Sequence, residues 1–391
     1  MKYFLSFIFI YLLMSGCKPD KDKFQKTEIS TGEKVYSLEK LDSIKIPYLG
    51  NPTVHDIDPS SRTVLFMEHM LSSQEIILAD FDGTIRNTFS KWGDVPDSYG
   101  NLIAPLLIDN SNSFIAYGSR GFLTYDFNGE LLSRVKHPDF DYFGFNRIGL
   151  GGGMEKSGNR LLYVNIEIPD YSKNERKFYE ELKILTWLDQ STGEKEPFIS
   201  FPNSSIFRGD NFFFNNAWDP AFTIADNFVY VVFGVEPVIY SYDKHPPYSL
   251  ISKTNLELPE YNYFKGAEKI TSDVSFFGQR RTSGRILNIK KIGEFFIIVY
   301  FPGFDFTDTQ EQFENKSREE SMLFQKRMNE KYPHKVAILN NKGKVLSHFP
   351  MEGFIPGSMV LRDNEIWMLE SFDTESEQDY FRIFKFELNI E

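Results

Sequence analysis

The chain has 391 residues, 41 % hydrophobic and 16 % aromatic, with 39 Phe and 20 Tyr. A formal net charge of −12 gives no electrostatic footprint for nucleic acid and no basic stripe for anionic lipid; solubility accounts for it. Its single cysteine, Cys17, leaves neither a disulfide nor a paired-cysteine metal site, so the fold must hold by core burial.

Residues 1–16 read as a signal peptide: Lys2, an apolar run from Tyr3 to Met14, then Ser15 and Gly16. The run is shorter than the ~20 residues of a membrane-spanning helix. Met14-Ser15-Gly16-Cys17 resembles the lipobox of bacterial lipoproteins, with Met14 where leucine is preferred. The resemblance implies cleavage before Cys17 and acylation of its thiol. Single chains anchor weakly, so a triacylated product is expected to need detergent for release. Residues 17–33 are charged and nearly devoid of apolar residues, which predicts a flexible tether. Lys18 follows the cysteine where aspartate would favour inner-membrane retention. By analogy with lipoprotein sorting the expected location is therefore the outer membrane, on its periplasmic or its surface face.

Residues 34–391 are predicted to form one all-β domain built on an internal repeat. The unit is two strand-length apolar runs joined by a polar turn of Pro, Asp, Asn, Ser or Gly. Six occur in order, with turns at 59–62, 109–112, 155–159, 226–227, 290–294 and 362–364. A second hairpin follows most of them, with Asp82-Gly83, Asn128-Gly129 and Lys342-Gly343 at three of the tips. Asn-Gly and Asp-Gly suit tight hairpins because both residues tolerate positive φ. Two hairpins make a four-stranded sheet, so six repeats predict a six-bladed β-propeller. The last blade, near 381–388, lacks an outer strand. The alternating segment 34–47 is expected to supply it and close the ring, removing the open sheet edges. The repeat exceeds the ~40–50 residues of common blades, and the excess lies in the loops of blades three to five. One insertion, near 308–331, reads as a helix capped by Asp308-Thr309, running Gln310 to Glu330 and ended by Pro333. Phe313, Phe324 and Met328 share a face, with Leu323 beside it, and that face is expected to pack on the propeller.

Lipobox, charged tether, Phe- and Tyr-rich strands, and turns such as Phe81-Asp82-Gly83 and Phe127-Asn128-Gly129 together resemble exported six-bladed propeller lipoproteins of Gram-negative bacteria. One such family is catalogued only as a domain of unknown function. The resemblance implies a fold and brings no catalytic residues with it.

Familiar catalytic patterns are absent from the sequence. There is no His-Glu-x-x-His and no Gly-x-Ser-x-Gly. Gly149-Leu-Gly-Gly-Gly153 opens no helix pattern and is not a dinucleotide fingerprint. Asp80-Phe-Asp82-Gly83 has too few ligands for a calcium loop and reads as a hairpin turn. No metal and no cofactor is expected. Propellers usually place ligands at the mouth of the central channel, on loops entering the innermost strands. By position that zone should hold His55, Asp56, Arg147, Asn215, Asn216, Trp218, Arg280 and Arg281. Trp218 with Asn215 and Asn216 suits a sugar. The arginines suit carboxylates, or else pair with local acids.

The leading expectation is a membrane-tethered, non-enzymatic propeller that binds a protein, a glycan or another extracellular ligand. The alternative is an exported hydrolase or lyase acting on glycans or peptides through His55, Asp56 and the funnel arginines. It predicts a deep pocket at the channel mouth holding a carboxylate of strongly perturbed pKa.

Overall fold

A computed structural model describes residues 34–68, 74–136, 148–271, 274–372 and 378–391. The predicted leader, the tether and Cys17 lie outside these residues, as does Arg147.

The first strand, β1 (Tyr36–Pro47), belongs to the last sheet. Blade 1 is β2 (Pro52–Asp58), β3 (Thr63–Glu68), β4 (Glu75–Asp80) and β5 (Ile85–Ser90). Blade 2 is β6 (Leu107–Asn110), β7 (Ser113–Gly118), β8 (Gly121–Asp126) and β9 (Leu131–Val135). Blade 3 is β10 (Met154–Ser157), β11 (Arg160–Glu167), β12 (Lys183–Asp189) and β13 (Lys195–Pro197), with helix α1 (Arg176–Glu181) between its middle strands. Blade 4 is β14 (Pro220–Ala225), β15 (Phe228–Phe233), β16 (Val238–Asp243) and β17 (Leu250–Asn255). Helix α2 (Val274–Thr282) precedes blade 5, which is β18 (Arg285–Ile292), β19 (Phe295–Phe301), β20 (Lys335–Asn340) and β21 (Val345–Pro350). Helices α3 (Phe306–Gln312) and α4 (Arg318–Lys331) lie between β19 and β20. Blade 6 is β22 (Val360–Arg362), β23 (Glu365–Leu369) and β24 (Tyr380–Ile390), with β1 as its outer strand.

The six antiparallel sheets form a six-bladed β-propeller. As the sequence predicts, the N-terminal strand closes the ring, pairing from Tyr36 opposite Ile390 to Pro47 opposite Tyr380. Middle strands are apolar and covered on both faces: β7 and β15 are buried almost throughout, while the outer strand β5 is exposed. Six apolar clusters hold the blades together, one at each blade–blade junction. At the closure, Ile44 and Ile46 of β1 pack with Val54 and Phe66 of blade 1 and Trp367 of blade 6. The junction of blades 3 and 4 is the most aromatic, built on Phe178, Tyr179, Trp187, Phe207 and Trp218. Each such side chain contributes ~1.5–3 kcal/mol on burial.

The predicted turns are longer than the observed ones in blades 2, 3, 5 and 6, where the inner strand runs on to Asn110, Ser157, Ile292 and Arg362. In blade 3 the inner strand starts only at Met154, and Gly149–Gly153 stays outside the sheet. In blade 2 it starts at Leu107. The helical insertion is present but in two pieces. Asp305 caps α3 by accepting from the Asp308 amide, and Ser317 with Glu320 forms a capping box that starts α4. Phe324 and Met328 are buried against Phe301 and Phe304, as expected, whereas Leu323 is exposed.

Strand alternation sorts every connection to one of two faces. On one face the turns are short, the longest spanning 244–249. The other face carries all the long connections, including 91–106, 198–219, 256–284 and 302–334. Every helix among the described residues sits there.

Candidate functional site

Each inner strand contributes to the central channel, and the channel is closed. Its walls include His55 and Asp56 of β2, Glu155 of β10, Asn288 and Lys290 of β18, and Arg362 of β22. A bulge between Val54 and Asp56 breaks the alternation of β2 and brings the neighbouring His55 and Asp56 both to the channel. A second bulge, between Ile286 and Asn288, does the same for Leu287 and Asn288.

Most polar groups of the channel are spent on each other; His55 Nε2 is buried there without a hydrogen-bond partner among the described residues. Asp56 Oδ1 accepts from Arg362 Nη2 at 2.6 Å across the closure of the ring. Its Oδ2 accepts from the Ile108 amide of blade 2 at 2.8 Å. Glu155 takes Lys290 Nζ of blade 5 at 2.6 Å and the Ile224 amide of blade 4 at 2.6 Å. Asn288 donates to the Gly357 and Met359 carbonyls of the connection into blade 6. His55 Nδ1 accepts from the Leu106 amide at 3.0 Å, which places the proton of the neutral ring on Nε2. Burial lowers the His55 pKa from the ordinary 6.5 to about 3, so the ring is neutral at physiological pH.

The glycine-rich segment shuts the mouth. The Leu150 amide donates to the Val54 carbonyl of blade 1 at 2.6 Å. Gly151 has φ +72°, and a Cβ there would overlap the Gly357 carbonyl oxygen of the connection into blade 6. Blade 6 stands opposite blade 3 in the ring, so the segment crosses the channel, and only glycine allows so close an approach. About 40 Å³ of cavity remains, enough for ordered water and too little for a sugar ring.

The expected channel-mouth residues do not form one site. His55 and Asp56 are buried in the channel; the Asp56 carboxylate is partnered as above, whereas His55 is bonded through Nδ1 and not through Nε2. Trp218 is 3 % exposed, wedged among Phe178, Tyr179 and Phe207, so it is a core residue with no face for a sugar. Asn215 accepts from Lys173 Nζ at 2.7 Å, and Asn216 adopts φ 68° in a turn closed by the Asp219 amide. Arg280 and Arg281 stand apart, in the last turn of α2. The carboxyl whose pKa burial raises, Glu236, is also outside the channel. It accepts from Ser205 Oγ, the Ile206 amide and Tyr240 Oη, tying the 198–219 loop to blade 4.

Arg280 and Arg281 line a depression of about 460 Å³ with Arg285, Phe304, Gln312 and Gln325. Sequence reasoning missed Arg285 and the two glutamines, because they come from β18, α3 and α4. Among the described residues, no carboxylate lies within ion-pairing distance of the three arginines. Burial and then the Arg280 charge lower the Arg285 pKa; the Asp219 charge acts in the opposite sense. A second depression, of about 450 Å³, adjoins it across Phe304 and includes Tyr263, Phe264, Phe306 and Gln310.

No family model matches the chain, and no curated protein matches it. Solved structures do. A member of the DUF4221 family from Bacteroides vulgatus superposes with a TM-score of 0.65 at 12 % identity, covering 92 % of this chain and 99 % of that one. The likeness is one of fold. A Bacteroides fragilis protein described as exported covers 92 % of this chain and 95 % of its own, at 12 % identity and a TM-score of 0.48. A gluconolactonase from Xanthomonas campestris covers 94 % and 96 %, at 9 % identity and a TM-score of 0.42. Neither of the last two is near enough to bear on chemistry.

Proposed function

We propose that this chain is a lipid-anchored envelope protein whose propeller binds an extracellular ligand on its long-loop face without turning it over. The closed channel carries the reading. The place where a propeller offers its inner-strand residues to a ligand is filled by Gly149–Gly153, and the Asp56 and Glu155 carboxylates already have cationic partners. Among the described residues, the long connections hold Arg280 and Arg281, with Arg285 beside them, without a paired carboxylate. Anchoring rests on Met14-Ser15-Gly16-Cys17, with residues 1–16 removed and residues 17–33 as tether. Among the described residues no helix is long and apolar enough to cross a membrane. Lys18 favours the outer membrane.

Two measurements test this on the full chain. Grown with an alkyne fatty acid, cells should yield labelled wild-type protein and unlabelled Cys17→Ser. The detergent-extracted protein should bind envelope glycans or peptides and leave them intact. Hydrolytic or lyase turnover abolished by Asp56→Asn would overturn the non-enzymatic reading.

A further inference from the structure

We propose that the depression between α2, α3 and α4 is a binding site for an acidic saccharide, with Arg280, Arg281 and Arg285 gripping its uronate carboxylates. This rests on the binding reading above and gives it a ligand class.

Two separate elements bring the three cations together. Arg280 and Arg281 end α2, and Arg285 begins β18, donating from Nη1 to the Arg280 carbonyl at 2.6 Å. A helix C-terminus favours cations, which accounts for Arg280 and Arg281 in isolation. It does not account for a third guanidinium beside them with Gln312 and Gln325 on the facing helices. Gly278 makes the approach possible: a Cβ there would overlap the Phe313 ring at the end of α3. Two cations of α4 are neutralised. Arg327 pairs with Glu311 at 2.5 Å, and Lys331 pairs with Asp305 and Asp308. The described acids of α3 are thus spent on α4 cations and not on the three arginines.

An arginine presents a planar fork that matches a carboxylate. The adjoining depression identifies the body that carries the carboxylate. Phe306 is 80 % exposed, an apolar face turned to solvent beside the amides of Asn262, Gln279 and Gln310. Aromatic faces with amide donors and acceptors suit the apolar face and hydroxyl rim of a pyranose. Both volumes are of ligand-pocket size.

The test is titration calorimetry on the full chain in detergent with trigalacturonate, an alginate trimer, maltotriose and triglutamate. At least one uronate trimer should bind, more weakly as salt rises, while maltotriose and triglutamate should bind at least tenfold more weakly. Arg280→Gln and Arg281→Gln should each lower uronate affinity at least tenfold, and Phe306→Ala several-fold, with melting temperatures held. Equal binding of triglutamate with no effect of Phe306→Ala would overturn the saccharide assignment, as would uronate binding indifferent to both arginine substitutions. Failure of both uronates, with another ligand still bound, would sink this inference alone. Turnover in the channel would sink the binding reading as well.

Discussion

The channel and the arginine depression use the same chemistry to opposite ends. In the channel, Arg362 and Lys290 each meet a carboxylate from a different blade, at 2.6 Å. In the depression, three guanidiniums gather where no described carboxylate pairs with them. A buried ion pair repays its desolvation only when geometry and extra hydrogen bonds are good. Asp56 and Glu155 meet that condition by also accepting backbone amides from neighbouring blades. They act as struts between blades. An unpaired cluster of like charges contributes nothing of this kind, and its physical use is to hold an anion.

The difference can be broken most forcefully in the channel. Arg362→Met leaves Asp56 charged and 2 % exposed, and should cost about 3–5 kcal/mol in denaturant unfolding. The double variant Asp56→Asn with Arg362→Met should recover part of it. Acid is the next lever. The folded His55 pKa of about 3 lies below the ordinary 6.5, so the unfolded chain takes up the proton first. Its stability contribution is complete above pH 6.5 and is lost as pH falls from 6.5 toward 3. Roughly 3 kcal/mol should go by pH 4. His334, lowered to about 4 by burial and then by the Arg285 charge, adds a loss of the same sign. His55→Asn keeps an acceptor near Nδ1 and should flatten the slope between pH 6.5 and 4.5. Gly151→Ala, strained by φ and by the Gly357 carbonyl, should cost about 1–3 kcal/mol. The smallest effect belongs to the depression. Arg280→Gln and Arg281→Gln, both exposed, should shift stability by under about 0.5 kcal/mol. A large loss there would mean that these cations serve the fold after all.

Most of the ring was legible because blades repeat. Turn residues at regular intervals, apolar middle strands and an alternating N-terminal segment predict six blades and their closure. The inner edge of blade 3 was not. Ile148, Leu150 and Met154 look like strand residues, and only the positive φ at Gly151 and Gly153 shows the chain leaving the sheet to cross the channel. The split between α3 and α4 was readable from Ser317 and Glu320, but the apolar spacing of Phe313 and Phe324 suggested one helix. Trp218 follows Phe212-Phe213-Phe214, a run that signals core more than ligand. Arg280 and Arg281 were found by their position before an inner strand. Their partners were hidden, since Gln312 and Gln325 arrive from a different connection, and nothing local marks them as neighbours.

Anomalous diffraction from crystals soaked in bromide probes the contrast between the two regions directly, because the small anion settles where cations lack acids. Bromide is expected among Arg280, Arg281 and Arg285 and nowhere beside Arg362 or Lys290. Bromide in the channel with the depression empty would show that the unpaired charge lies at the centre of the ring, and would reverse the assignment.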